Sequence, residues 1–206
     1  MNMNRKHWIA VLALGIEALL AAGSARAENK FDYCLLCHGA DANGNYGIRA
    51  PKISGVEPWY LSRQLENFAA GVRGVAADDA AGHEMGPVGM RVKHEGTLAA
   101  AVDYIGTLKS KRPAPTVTGD VARGKTLYVN CSSCHGAKGE GNQALNAPAL
   151  AARSDWYMVV QLVNFQKGLR GADERDVYGA QMRAIVATLP DEKAITDVVA
   201  YINTLK

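Results

Sequence analysis

Cys34-Leu35-Leu36-Cys37-His38 and Cys131-Ser132-Ser133-Cys134-His135 place two thiols and an imidazole in the same order twice. Two cysteines three apart lie about one helical turn from each other. Their sulfurs can add to the two vinyl groups on one edge of a porphyrin, and the adjacent histidine is then carried under the ring to bind iron. C-x-x-C-H is the attachment pattern of a c-type haem. All four cysteines of the chain are used. A thioredoxin-like redox pair needs no histidine after the second cysteine. A structural zinc site would have to join pairs 97 residues apart, each with its own histidine.

The remaining positions of the two motifs' surroundings also coincide. A shift of 97 residues matches Cys34–Lys109 to Cys131–Lys206 at 28 of 76 positions without a gap. Ala50-Pro51 falls on Ala147-Pro148, Trp59-Tyr60 on Trp156-Tyr157, Gln64-Leu65 on Gln161-Leu162, Arg73 on Arg170 and Met85 on Met182. Two copies of this length are tandem domains rather than a solenoid. The reading divides the chain into a signal peptide (1–27), an N-terminal domain (28–109), a linker (110–119) and a C-terminal domain (120–206). The linker is polar and carries Pro113 and Pro115, which predicts a semi-rigid spacer reaching roughly 30 Å at the polyproline rise.

The sixth iron ligand decides what such a site can do. A thioether opposite histidine favours ferrous iron and raises the potential. Met85 and Met182 each stand 47 residues after the motif histidine, and the repeat nominates both. Met90, His83 and His94 are rivals in the first copy, but their counterparts are Ala187, Ala180 and Asp191. A ligating histidine usually donates its other ring N–H to a carbonyl. Pro51 and Pro148 are candidates to present one, plain loop prolines being the alternative. Trp59, Tyr60 and Arg73, with their copies Trp156, Tyr157 and Arg170, could bond haem propionates or simply pack.

The elements that must position these groups read as helices. Leu98, Ala101, Val102, Ile105 and Leu108 follow helical spacing, as do Ile195, Val198, Val199, Ile202 and Leu205. Pro190-Asp191 is a start signal for the second of these. A middle helix follows each Trp-Tyr pair, and residues 39–54 read as loop. In the second copy Asp120 is an N-cap for a first helix running into Cys131. The first copy has room only for a short opening helix, about Asn29 to Cys37, so its domain should be less well clamped. The fold class is all-α, two tandem cytochrome c-like haem domains related by an internal repeat. Domains this small need the haem plate to complete a core, so folding and haem attachment should be coupled.

Arg5 and Lys6, the apolar run from Ile9 to Ala22 and Ala25-Arg26-Ala27 have the order of a secretory signal with cleavage after Ala27. The run is short for a membrane span and holds Glu17. The full chain carries 23 Lys and Arg against 20 Asp and Glu; removal of residues 1–27 leaves 20 against 19, and haem propionates make the product mildly acidic. A clustered basic face suited to nucleic acid is missing from this pattern.

The two C-x-x-C-H-G motifs, the Ala-Pro loop, the Trp-Tyr-x3-Gln-Leu-x-Asn-Phe-x2-Gly-x-Arg-Gly stretch and the late methionines resemble the two-haem class I cytochromes c of the cytochrome c4 type. The resemblance covers essentially the whole chain after the signal. It implies two covalently bound haem c groups. Cys34, Cys37, His38 and Met85 hold the first, and Cys131, Cys134, His135 and Met182 the second, with Pro51 and Pro148 behind the histidines. It further implies two domains facing each other about a pseudo-twofold axis. The function implied is that of a periplasmic electron carrier between redox proteins: a terminal oxidase, a quinol-oxidising complex or a periplasmic dehydrogenase. Peripheral membrane contact is compatible with such partners. The competing functions are a cytochrome subunit of a periplasmic dehydrogenase, and a di-haem enzyme with one exchangeable iron ligand. Paired methionines argue against the last.

Overall fold

Capping aspartates set four of the nine α-helix starts among the described residues. In the computed structural model, which describes residues 29–206, Asp120 accepts from the Ala122 and Arg123 amides and opens a helix, and Asp191 accepts from the Ala194 amide and opens the last one. The expected signal peptide lies outside the described residues. Nine α-helices and two short 3-10 turns make up the regular structure of those residues, with isolated bridges at Asn45–Ala50 and Asn142–Ala147. In the first half these are α1 (Tyr33–His38), α2 (Pro58–Ala69), α3 (Ala80–His94) and α4 (Leu98–Gly106). In the second they are α5 (Val121–Leu127), α6 (Val129–His135), α7 (Asp155–Gln166), α8 (Val177–Val186) and α9 (Glu192–Ile202). Before α1, residues 29–32 form a turn in which Asn29 Oδ1 accepts from the Phe31 amide.

The expected helix from Asp120 into Cys131 is present but divided, with Tyr128 between α5 and α6. Helix α5 lies directly on α9: a Cβ at Gly124 would stand 2.0 Å from the Asp197 carbonyl oxygen, so only glycine permits this approach. Tyr128, Met158, Phe165, Val186, Ile195, Val198, Val199 and Ile202 form a continuous buried cluster around that contact. The first half opens with α1 at the motif itself and buries Phe68, Val92, Ala101, Val102 and Ile105.

Helices α3 and α8, which carry Met85 and Met182, were not expected. Asp79 and Asp176 start them, each accepting from the amide three residues on. Pro87 lies inside α3 and removes one interior amide donor.

Tyr33–Lys206 is one compact unit, and the spacer is pinned within it. Asn43 Oδ1 accepts from the Lys111 amide at 2.9 Å, and Asn43 Nδ2 donates to the Lys109 carbonyl at 3.0 Å. Further along, the buried Asp155 carboxylate accepts from the Thr116 and Val117 amides, the Thr116 hydroxyl and Asn203 Nδ2. Burial pushes the Asp155 pKa up, but these donors outweigh it and the net shift is downward. Asp155→Asn should therefore cost about 2 kcal/mol, since at least one buried donor loses its acceptor. The charge contribution is complete above the ordinary aspartate pKa of about 3.9 and is lost as pH falls through the lowered native value. Urea midpoints of wild type and variant should thus differ at neutral pH and converge in acid.

Candidate haem sites

Each motif histidine ends a short helix and is buried, His38 at 6 % and His135 at 4 % exposure. The loop that follows is closed by reciprocal amide–carbonyl bonds, Asn45 with Ala50 and Asn142 with Ala147. Gly44, at φ +94°, allows the closure, because a Cβ there would lie 2.8 Å from the Lys52 nitrogen. The returning chain brings the Pro51 carbonyl to 2.6 Å from His38 Nδ1 and the Pro148 carbonyl to 2.7 Å from His135 Nδ1. A carbonyl only accepts, so Nδ1 carries the proton and the Nε2 lone pair is left for a metal. Burial pushes both histidine pKa values down against the opposing effect of these bonds, and Glu57 also opposes it at His135. Both shifts favour the neutral imidazole, the form whose Nε2 can bind a metal.

Beside them none of the four cysteines forms a disulfide. Burial pushes the Cys131 thiol up to about 11, which is the reverse of what a reactive redox thiolate requires. Met182 lines an apolar cleft with Cys131, Leu127, Leu162, Val186 and Leu189. Met85 occupies the matching turn of α3 and is half-buried, whereas Met90, His83 and His94 are exposed.

Between the halves lies a cluster built from repeat-matched residues. Gln64 Oε1 accepts from Arg73 Nη1 at 2.7 Å and from Arg170 Nη2 at 3.0 Å. Gln161 Oε1 accepts from Arg170 Nη1 at 2.9 Å and from Arg73 Nη2 at 2.8 Å. Arg73 also donates to the Tyr157 hydroxyl and Arg170 to the Tyr60 hydroxyl. Each guanidinium stacks on a phenylalanine of its own half, Phe68 or Phe165. Both arginines are buried, none of these partners is a carboxylate, and Nε of each has no hydrogen-bond partner among the described residues. Burial pushes the Tyr60 phenol up, yet the charges of Arg170 and Arg73 outweigh it and move its pKa down. The Asp176 carboxylate acts on Arg170, but two enclosed like charges with spare Nε donors leave a place for further anions. This is what a pair of propionate-bearing cofactors would supply, and with the disulfide-free cysteines and the Nδ1-bonded histidines the residues fit haem.

The sequence left the tyrosines and arginines as candidates for propionates or for packing, grouped within one half each. The structure crosses them, each arginine reaching the other half's tyrosine. Gln64 and Gln161 were visible only as repeat matches; a buried polar pair at matched helix positions was the signal that could have singled them out. Trp59 and Trp156 stand edge-on to Tyr60 and Tyr157, with ring centroids 5.8 and 5.9 Å apart.

The chain matches the family described as cytochrome c over residues 22–109 and again over 121–206, and it belongs to that family. It is 30 % identical to cytochrome c4 of Azotobacter vinelandii across 98 % of its own length and 100 % of that protein. It is thus a two-haem cytochrome of the c4 type, with one covalently bound haem c at each motif. It is also 27 % identical to a thiosulfate dehydrogenase electron acceptor of Stutzerimonas stutzeri strain A1501, over 89 % of this chain and 90 % of that one. The cytochrome c4 structure from Acidithiobacillus ferrooxidans has the same fold, with a TM-score of 0.65, 23 % identity, and coverage of 84 % of this chain and 98 % of that one.

Proposed function

We propose that the chain is a periplasmic electron carrier in which residues 28–109 and 120–206 are haem domains joined by residues 110–119, following a cleaved signal at 1–27. Cys34 and Cys37 hold the first haem and Cys131 and Cys134 the second. His38 with Met85, and His135 with Met182, would bind the irons. Each bound haem supplies a one-electron ferrous–ferric couple. Burial favours the neutral histidines, the Pro51 and Pro148 carbonyls fix the proton on Nδ1, and Arg73 Nε and Arg170 Nε would donate to the propionates. The single observation that carries this reading is the repeated Nδ1–carbonyl bond of a buried histidine beside two cysteines that form no disulfide. With His and Met on each iron no position would be left for a substrate, which supports transfer rather than catalysis.

The partners are redox proteins: a terminal oxidase, a quinol-oxidising complex or a periplasmic dehydrogenase. The similarity to a thiosulfate dehydrogenase electron acceptor favours, as second reading, an acceptor dedicated to one dehydrogenase. No described helix is long and apolar enough to cross a membrane, so any membrane contact made by these residues is peripheral. Reduced holoprotein exposed to carbon monoxide tests the role. Two low-spin ferrous haems that bind no CO are expected; rapid CO binding at one haem would mark an exchangeable ligand and an enzyme.

A further inference from the structure

Residues 57 and 154 occupy the same position of the repeat, yet one is Glu and the other Ser. Each is the N-cap residue of its helix, α2 or α7, and neither side chain caps that helix. Both reach across to the other half instead. Ser154 Oγ accepts from the Lys52 amide at 3.1 Å, and Glu57 Oε1 accepts from the Ala149 amide at 2.8 Å. Those amides are not arbitrary. The Lys52 N–H and the Pro51 C=O belong to one peptide group, and so do the Ala149 N–H and the Pro148 C=O. Each histidine-orienting carbonyl is therefore hydrogen-bonded, through its own peptide, to a side chain from the opposite half.

We infer that Glu57 is a cross-domain positioning residue that lowers the reduction potential of the C-terminal haem relative to the N-terminal one, by polarising the Pro148–Ala149 peptide behind His135. A hydrogen bond accepted from a peptide N–H makes the same peptide's oxygen a better acceptor. A carboxylate does this more strongly than a hydroxyl, because charge-assisted bonds are roughly twice as strong. The His135 Nδ1–H is then drawn further toward Pro148, and the ring becomes a stronger donor to iron, which favours the ferric state. Glu57 is also near enough for its charge to act on His135 directly. Arg153 moderates the effect: its Nη2 donates to Glu57 Oε2 at 2.7 Å, its Nη1 to the Gly55 carbonyl and its Nε to the Ala149 carbonyl. On the other side Ser154 offers the Lys52 amide only a neutral acceptor. The inference rests on the His/Met reading of the sites.

The test is a redox titration of the holoprotein, each haem followed through its own NMR-resolved methyl signals. Glu57→Gln keeps an acceptor oxygen and removes the charge. It should shift the C-terminal haem about fivefold toward the ferrous state, roughly 40 mV at 59 mV per tenfold for one electron. The N-terminal haem should hold its position, and the His135 Nδ1–H resonance alone should move upfield. Arg153→Gln leaves the carboxylate unmatched and should move the same haem in the opposite direction. Ser154→Ala should shift the N-terminal haem only, by about twofold. Equal movement of both haems, or none at the C-terminal haem in Glu57→Gln and Arg153→Gln together, would overturn the inference. Absence of the methionine–iron charge-transfer band in the wild-type ferric protein would instead overturn the ligand assignment.

Discussion

Met182→Ala should abolish the methionine–iron charge-transfer band of one haem and lower that haem's potential on the order of 0.2 V, a fraction of the ~0.8 V span set by axial ligation. Met85→Ala should do the same to the other haem. The thioether is a soft, neutral donor that favours ferrous iron, and water or hydroxide in its place favours ferric. Each variant should also bind carbon monoxide at the altered haem alone. Met182 lines the apolar cleft that contains Cys131, so its loss opens a position already walled by Leu127, Leu162 and Val186. Met85 lies in the matching turn of α3. If Met90→Ala rather than Met85→Ala removed the band, the repeat-based assignment in the first half would be wrong; the exposure of Met90, 54 %, argues for Met85.

The second large effect should come from the arginine–glutamine cluster. Arg170→Met removes a buried cation that gives Gln161, Gln64 and Tyr60 a donor each. Hydrogen bonds to a charged group are worth more than neutral ones, while relief of the like charge on Arg73 offsets part of the loss. A net destabilisation of about 3 kcal/mol in the holoprotein is expected, read as a lower urea midpoint. Both haems should shift to lower potential, because a positive charge near the propionates favours the ferrous state. That sign is opposite to the one expected for Glu57→Gln. Arg170→Lys should fail to rescue, since an ammonium cannot present a planar fork to two glutamine oxygens and a phenol at once. Lower stability with unchanged potentials would mean that the cluster docks the halves without touching the propionates.

Much of this arrangement was legible before any coordinates. The cysteine–histidine motifs, the 97-residue repeat, the caps at Asp120 and Asp191 and the periodic last helices are local signals, and local signals survive in sequence. Helix α3 was hidden for a physical reason: Gly86, Pro87 and Gly89 all weaken a helix in isolation. Gly89 is there for packing, because a Cβ would stand 2.8 Å from the Ala69 nitrogen and the Leu65 carbonyl oxygen of α2. Val186 takes the same repeat position in α8 and is buried, so the two copies pack these helices with different side chains. Glu57 and Ser154 were hidden differently. Comparing the copies highlights identical residues, whereas this pair shares a position and a task but not a chemistry. The crossing of Arg73 to Tyr157 and Arg170 to Tyr60 is a property of how the halves meet, and no spacing within one half encodes it.

That crossing also bears on how a two-haem chain could arise. Every bond in the cluster has its mirror: Arg73 uses Gln161 and Tyr157 as Arg170 uses Gln64 and Tyr60. Such a contact is isologous, so one kind of half supplies both sides of it. A single-haem ancestor bearing this Tyr, Gln and Arg would have been able to dimerise through them before any gene fusion. Fusion would then have released the two copies from identity, and a carboxylate in one half where the other carries a hydroxyl is a difference that no homodimer can encode.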